Sequence, residues 1–157
     1  VELLCYVIRN NHDNMVLLDE VQKVFDKARL SDEGAAHIRR SRKEATDLMN
    51  QGVLLWKTGK LDEAVAWMRD ARAAVPDNLR ILFNTAQILI SHMDTHGYDA
   101  DLSAEATEVL LRVERIQPGQ QRFAQLMEQL AALAPPADGE GQDEPGNEGE
   151  PEPPAEA

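Results

Sequence analysis

The chain has 157 residues, the length of one typical domain, and a formal net charge of -12 at pH 7. Eight of the 28 acidic residues but none of the 16 basic residues lie in residues 135–157, so residues 1–134 carry a net charge of only -4. This balance argues against a nucleic-acid-binding domain. A single cysteine and the lack of a long apolar run exclude an intrachain disulfide, a cysteine-rich metal site and a transmembrane helix.

The chain begins with VELLCYVIRNNHDN, which is apolar only briefly and then polar. It has neither the basic start nor the small-residue cleavage site of a signal peptide, so we expect a cytoplasmic protein. Cys5 lies in this stretch and is predicted to be a buried, inert thiol.

Six amphipathic helices are predicted, because apolar residues recur every three or four positions and no segment alternates apolar and polar residues for long enough to form a strand. In chain order the helices cover residues 14–30, 35–58, 61–75, 79–93, 103–117 and 120–133. Ser31 and either Asp77 or Asn78 are predicted to cap helices, and Gly59 and Pro76 to end them. The first half of helix 35–58 is predicted either to project or to pack on helix 14–30. The predicted fold class is all-α.

A loop rich in Asp, Gly and His is predicted over residues 94–101. His92, Asp94 and His96 alternate at its start, and residues of these types can bind metals. Their spacing implies no fixed geometry, so we favour a solvated loop and expect no metal and no cofactor.

Residues 135–157 hold six of the eight prolines and four of the nine glycines, and no aliphatic residue larger than alanine. Such a segment buries too little apolar surface to offset the entropy lost on ordering, so a disordered acidic tail is predicted. A solubilising role is favoured, and a docking segment for a basic partner is the alternative.

Residues 45–78 read ATDLMNQGVLLWKTGKLDEAVAWMRDARAAVPDN and resemble a single 34-residue tetratricopeptide repeat. Gly52 and Ala64 are small where the two antiparallel helices of such a repeat approach closely. Gly59 lies in the turn between them, and Pro76 closes the repeat.

A second, looser copy covers residues 79–118 and closes with Pro118 as the first closes with Pro76. It carries eight extra residues between its helices, and insertions in repeats fall in loops. The resemblance implies a helical domain over residues 1–134 in which residues 119–134 form a capping helix and N-terminal helices cover the other end.

The stretch that begins at IRNNHDN and passes through VQKVFDKARL into GVLLWKTGKLDEA also resembles the output region of bacterial two-component response regulators with tetratricopeptide repeats. The resemblance implies an output domain seen without its receiver. Whether a receiver precedes Val1 is left open by the sequence.

In the tetratricopeptide-repeat family the first helix of each repeat lines a concave groove that holds a peptide or a partner helix. By repeat position, the groove residues are Met49, Asn50, Val53, Trp56, Lys57, Arg80, Phe83, Asn84, Gln87 and Ile90. Chaperone-binding members place Lys and Asn where this chain has Met49 and Val53, so their carboxylate clamp is absent and an apolar ligand is expected. Burial of Trp56 and Phe83 under the N-terminal helix is the competing interpretation.

A basic cluster lies on helix 35–58, and its members are Arg39, Arg40, Arg42 and Lys43. Glu44 and Asp47 follow at once and no aromatic residues interleave, so a solvated helix face is favoured over a site for an acidic partner or for nucleic acid.

No catalytic motif is found, since the chain has no glycine-rich phosphate loop, no HExxH and no nucleophile elbow. We therefore expect a protein-interaction domain that binds a partner helix or peptide, with no enzymatic activity. A chaperone of the same repeat type, for a secretion or pilus subunit, is the alternative function. Homo-oligomers are left open.

Overall fold

The computed structural model describes residues 1–135, which form seven helices and no strand. The helices are α1 (Glu2–Asn10), α2 (Met15–Lys27), α3 (Ser31–Lys57), α4 (Leu61–Ala74), α5 (Leu79–His96), α6 (Ala100–Ile116) and α7 (Gln121–Leu133). The all-α prediction is confirmed for these residues. The predicted disordered tail lies outside them, apart from Pro135.

Several helix ends are those that local side-chain chemistry predicts. The side chain of Asn78 accepts a hydrogen bond from the Ile81 N–H and caps α5, as expected. Gly59 has a φ of 77°, and the next N–H, that of Lys60, donates to the carbonyl of Leu55. This left-handed residue closes α3 and lets the chain turn back into α4.

The start of α3 differs from the prediction. Ser31 is its first residue rather than its cap, and Leu30 at the cap position makes no side-chain bond. Asp32 and Glu33 in the first turn favour this earlier start, because carboxylates interact well with the positive end of the helix dipole.

The prediction of a loop over residues 94–101 is wrong. Helix α5 continues to His96, only Gly97–Asp99 connect it to α6, and α6 begins at Ala100 rather than at Ser103. The Asp99 carboxylate sets this start, since it accepts from the N–H groups of Asp101 and Leu102. The extra residues of this part of the chain therefore lengthen the two helices.

Two separate apolar clusters hold the helices together. The small cluster joins α1, α2 and the first half of α3 around Ile8, Leu18, Val21 and Phe25. The large cluster joins the second half of α3 with the four later helices, and its centre is formed by the fully buried Met68, Leu82, Leu89 and Leu110, among others. Helix α3 thus takes part in both.

Glycines on α3 allow close helix contacts in both clusters. A Cβ at Gly34 would lie 2.5 Å from Cβ of Phe25 on α2, so the two helices are in close contact at this glycine. The first half of α3 therefore packs on α2, which is one of the two arrangements that were predicted. A Cβ at Gly52 would collide with Sδ of Met68 on α4. The small residue predicted at this helix crossing is therefore needed by the packing.

Helix α1 is attached to the turn between α4 and α5 by hydrogen bonds. The Tyr6 hydroxyl donates to Asp77 at 2.6 Å, and the Asp77 N–H donates to the Asn10 side chain at 2.7 Å. Asn78 donates to the carbonyl of Arg9. The N-terminal helices are therefore fixed against the later part of the chain.

Candidate functional site

The predicted groove residues lie on α3 and α5, two neighbouring helices that pack together. On α3, Asn50 is exposed, whereas Met49, Val53 and Trp56 are half-buried and pack on or beside the large cluster. These last three residues share one stripe of α3, since they are four and three positions apart. Lys57 beside them is exposed.

Helix α5 contributes less surface than the sequence predicted. Phe83 and Ile90 are only 7% and 5% exposed and belong to the large cluster, so they offer almost no area to a partner. Asn84 and Gln87 are half-buried, and the exposed Arg80 forms an ion pair with Asp13. The predicted apolar surface is therefore largely confined to α3.

Helix α7 accounts for part of the covering of α5. The guanidinium of Arg122 lies 5.1 Å from the ring centroid of Phe83, a cation–π arrangement, and donates to Asn84 Oδ1 at 3.3 Å. Burial lowers the pKa of Arg122. The competing interpretation placed Phe83 under the N-terminal helix, whereas the residue that covers its ring comes from α7.

Side-chain amides line two depressions between α5 and α7. The first has a volume of about 370 Å³, the second about 300 Å³, and both include Gln87 and Gln129. Gln121 and Gln125 add to the first, so amides stand every four residues along one stripe of α7. This polar surface was not predicted, although the four-residue spacing of the glutamines indicates it.

We define the α3–α5–α7 face as the surface made of the apolar stripe on α3 and the amides of α5 and α7. Its members are Met49, Asn50, Val53, Trp56, Asn84, Gln87, Gln121, Gln125 and Gln129. One side of it is apolar, and the other offers donors and acceptors for hydrogen bonds.

A larger groove lies elsewhere, between the end of α1 and the pair α3–α4. It has a volume of about 740 Å³ and an apolar floor that includes Leu48, Trp67 and Val75. The indole N–H of Trp67 donates to the carbonyl of Leu48 at 2.8 Å, which fixes the ring in place. Glu44 and Asp47 stand at the α3 edge. No residue of the predicted site lines this groove.

Cys5 is half-buried rather than buried, contrary to the prediction. Its Sγ lies 3.6 Å from Nδ1 of His37, whose ring stacks on Phe25 with 5.9 Å between centroids. The thiol also borders a depression of about 780 Å³ between α1 and α3.

His92, Asp94 and His96 lie on helix α5. His92 contacts the carboxylate of Asp62 at 2.8 Å, and its ring packs on that of His96 at 4.4 Å. The hydrogen bond from His92 lowers the pKa of Asp62. Within residues 1–135 no group of three or more His, Cys, Asp or Glu side chains is arranged to hold a metal ion.

The basic cluster on α3 is partly engaged by its neighbours. Arg42 donates to the carbonyl of His12 at 2.9 Å, and Lys43 pairs with Asp47 one turn along the helix. Arg39 and Arg40 remain exposed. A solvated face with structural contacts accounts for these residues.

Residues 1–135 thus form an all-α fold with several solvent-accessible depressions. No helix in the described part of the chain is both long and apolar enough to cross a membrane. A scan against protein-family models and searches of curated proteins and of solved structures found no match to this chain.

Proposed function

We propose that the chain is a protein-interaction domain that binds a helix or peptide of another protein on the α3–α5–α7 face. The observation that supports this most is the half-buried stripe of Met49, Val53 and Trp56, which lies on a helix packed against α5 and its half-buried amides. Complete burial of an exposed apolar side chain of this size contributes about 1.5–3 kcal/mol, and these half-buried residues gain only the part that a partner newly covers.

The two sides of the face favour different parts of a ligand. Apolar side chains of the partner would cover Val53 and Trp56, while amides such as Gln87 and Gln125 would exchange hydrogen bonds with its polar groups. Because a side-chain amide is both donor and acceptor, it can pair with an exposed main chain regardless of sequence. A segment that is apolar at one end and extended at the other fits this surface better than a wholly apolar helix.

The cellular role that we propose is the output part of a bacterial two-component signalling protein. It rests on the resemblance of the chain from IRNNHDN onward to such output regions. A tetratricopeptide-repeat chaperone for a secretion or pilus subunit would use the same face. The two roles differ in that a signalling output binds one partner with fixed stoichiometry, whereas a chaperone suppresses aggregation of its client.

The experiment is a quantitative pull-down from bacterial lysate with the full chain and a double variant, Val53→Arg and Gln87→Arg. Both side chains are half-buried surface residues, so charged replacements should block binding while the fold is kept, as checked by circular dichroism. Leu111→Arg is the matched control, because Leu111 is 49% exposed on α6, away from this face. Loss of a partner only in the double variant would support the face. Equal recovery with all three proteins would contradict it.

A further inference from the structure

The pairs α3–α4 and α5–α6 can be aligned residue by residue. Gly52 corresponds to Ala86 in the first helices, and Pro76 corresponds to Pro118 after the second ones. Three further residues of the first pair can be matched by this alignment to residues of the second pair. The corresponding positions are Leu48 with Leu82, Trp67 with Val109 and Glu63 with Glu105.

In the second pair these positions are covered. Leu82 and Val109 are 0% and 1% exposed, in the same cluster as Met68 of α4. Glu105, which lies on the same stripe of α6 as Val109, forms ion pairs. Arg69 and Arg72 of α4 reach its carboxylate at 2.7 Å and 3.2 Å. Helix α4 thus packs on α5 with its apolar side chains and reaches α6 with two arginines one turn apart.

In the first pair the same positions are open. Leu48 and Trp67 are half-buried and line the 740 Å³ groove, and the Glu63 side chain is 60% exposed. In the described part of the chain, Glu63 pairs only with Lys60, the N-cap residue of its own helix. Helix α1 borders this groove through Arg9 but leaves its apolar floor accessible.

We propose that the groove between α1 and α3–α4 receives one α-helix of a partner protein, and that this helix carries a stripe of small and apolar residues flanked by two arginines one turn apart. The apolar stripe would cover Leu48 and Trp67, which would then be buried as Leu82 and Val109 are. The arginines would reach Glu63, as Arg69 and Arg72 reach Glu105.

The charge around the groove favours this partner. Asp70 shares a stripe of α4 with Glu63, Trp67 and Ala74, because these residues are three or four positions apart. Glu44 and Asp47 line the α3 edge with side chains that are 46% and 59% exposed, and they pair with Arg9 and Lys43, respectively. Arginines on the facing side of a partner helix would gain from these carboxylates, whereas acidic side chains at the same positions would be repelled.

Small residues at the α4 edge allow a helix to approach closely. Ala74 lines the groove and is exposed, and Ala73 next to it is exposed as well. The hydrogen bond from Trp67 to Leu48 holds the floor in shape before binding, which lowers the cost of ordering it. This site is separate from the α3–α5–α7 face and does not rest on the function proposed for that face.

The test uses the full chain and a labelled peptide with the sequence of residues 61–76, LDEAVAWMRDARAAVP, which is the natural covering helix. A side-chain lactam holds it helical, because so short a helix is marginal in water. Fluorescence anisotropy measures its affinity for the unaltered protein and for Ala74→Arg. Ala104→Arg is the matched control, because Ala104 is also an exposed helix alanine.

We expect Ala74→Arg to weaken binding by about tenfold or more, equivalent to about 1.4 kcal/mol. Ala104→Arg and the double variant of Val53 and Gln87 should bind as the unaltered protein does. A peptide in which Arg69 and Arg72 are replaced by glutamate should bind weakly, and Glu63→Lys in the protein should restore its affinity.

Three outcomes would overturn the proposal. Equal binding to the Ala74→Arg variant would mean that the peptide displaces α4 or binds elsewhere, and no binding at millimolar peptide would remove the site. A concentration-dependent dimer that Ala74→Arg abolishes, seen by light scattering together with no peptide binding, would assign the groove to a second copy of the chain.

Discussion

The side-chain amide of Asn78 donates a hydrogen bond to Nδ1 of His12, with 2.9 Å between the two nitrogens. The amide must be the donor, because its oxygen already accepts from the Ile81 N–H. His12 is therefore neutral, with its proton on Nε2. The two side chains are 1% and 6% exposed, so this pair joins the α1–α2 connection to the start of α5 inside the protein.

Stability should fall as the pH falls below 6.5, the ordinary pKa of histidine. Burial lowers the pKa of His12 in the folded protein, with Arg80 and Arg42 lowering it further and Asp13 opposing them. The unfolded chain takes up a proton that the folded chain does not, so the free energy of unfolding decreases until the pH drops below the folded pKa. A single group can contribute at most about 1.4 kcal/mol per pH unit.

Urea unfolding at pH 7.5, 6.5 and 5.5 measures this dependence. His12→Gln removes the titrating group and should flatten the decrease between pH 6.5 and 5.5, although it also lowers stability at pH 7.5. The same slope in the unaltered protein and in His12→Gln would show that other groups set it.

Asn78→Ala should destabilise the protein more than Asn14→Ala does. Each asparagine caps a helix, and loss of such a cap costs about 0.5–2 kcal/mol. Asn78→Ala also leaves the Arg9 carbonyl and His12 Nδ1 without their buried donor. We expect a further loss of about 1–3 kcal/mol, measured as the difference between the two variants in urea unfolding. Equal losses would mean that the bonds to α1 and its loop contribute nothing.

Gly52→Ala should destabilise the protein, although alanine normally stabilises a helix interior by about 0.5–1 kcal/mol relative to glycine. Its Cβ would collide with Sδ of Met68, which is fully buried and has little room to move. We expect a net loss of about 1–3 kcal/mol in thermal or urea unfolding. In a Met68→Ala background the same substitution should be much less harmful, and an undiminished loss there would locate the clash elsewhere.

Tyr6→Phe should raise the pKa of Asp77. The hydrogen bond from the Tyr6 hydroxyl is the largest single cause of the low pKa of this carboxyl, and the hydrogen bond and charge of Arg112 lower it as well. The stability that Asp77 contributes is present above pH 3.8 and is lost as the pH falls through its folded pKa. Carbon-detected NMR titration of the Asp77 carboxyl should show the change, while Tyr98→Phe, at an exposed tyrosine, should show none.

Much of the helix pattern could be predicted because short-range chemistry sets it. Asn78, Gly59 and Pro76 act on the few residues beside them, and the structure places helix ends there. The connection between α5 and α6 could not be found in this way. Apolar periodicity ends at Met93, but α5 continues through polar residues to His96, and Asp99 was one of several equally plausible caps.

The candidate surfaces were harder to predict than the helices. Phe83 is a large aromatic residue of the kind that binds partners. However, Arg122, 39 positions later in the chain, lies over its ring. The groove beside Trp67 depends on where α1 ends against α3, which no local pattern states. Exposure at these positions is a property of long-range packing, and a single sequence carries little information about it.

Helix α3 has 27 residues, which is about 40 Å of continuous helix. Its first half is held by Phe25 through Gly34, and its second half by Met68 through Gly52. Because α3 is one continuous helix that packs at both ends, a tilt imposed on α1 and α2 would be transmitted to α4 and α5 without a hinge. Mechanical load applied near the N-terminus would accordingly be carried to the faces beside Trp56 and Trp67, whose fluorescence could report it.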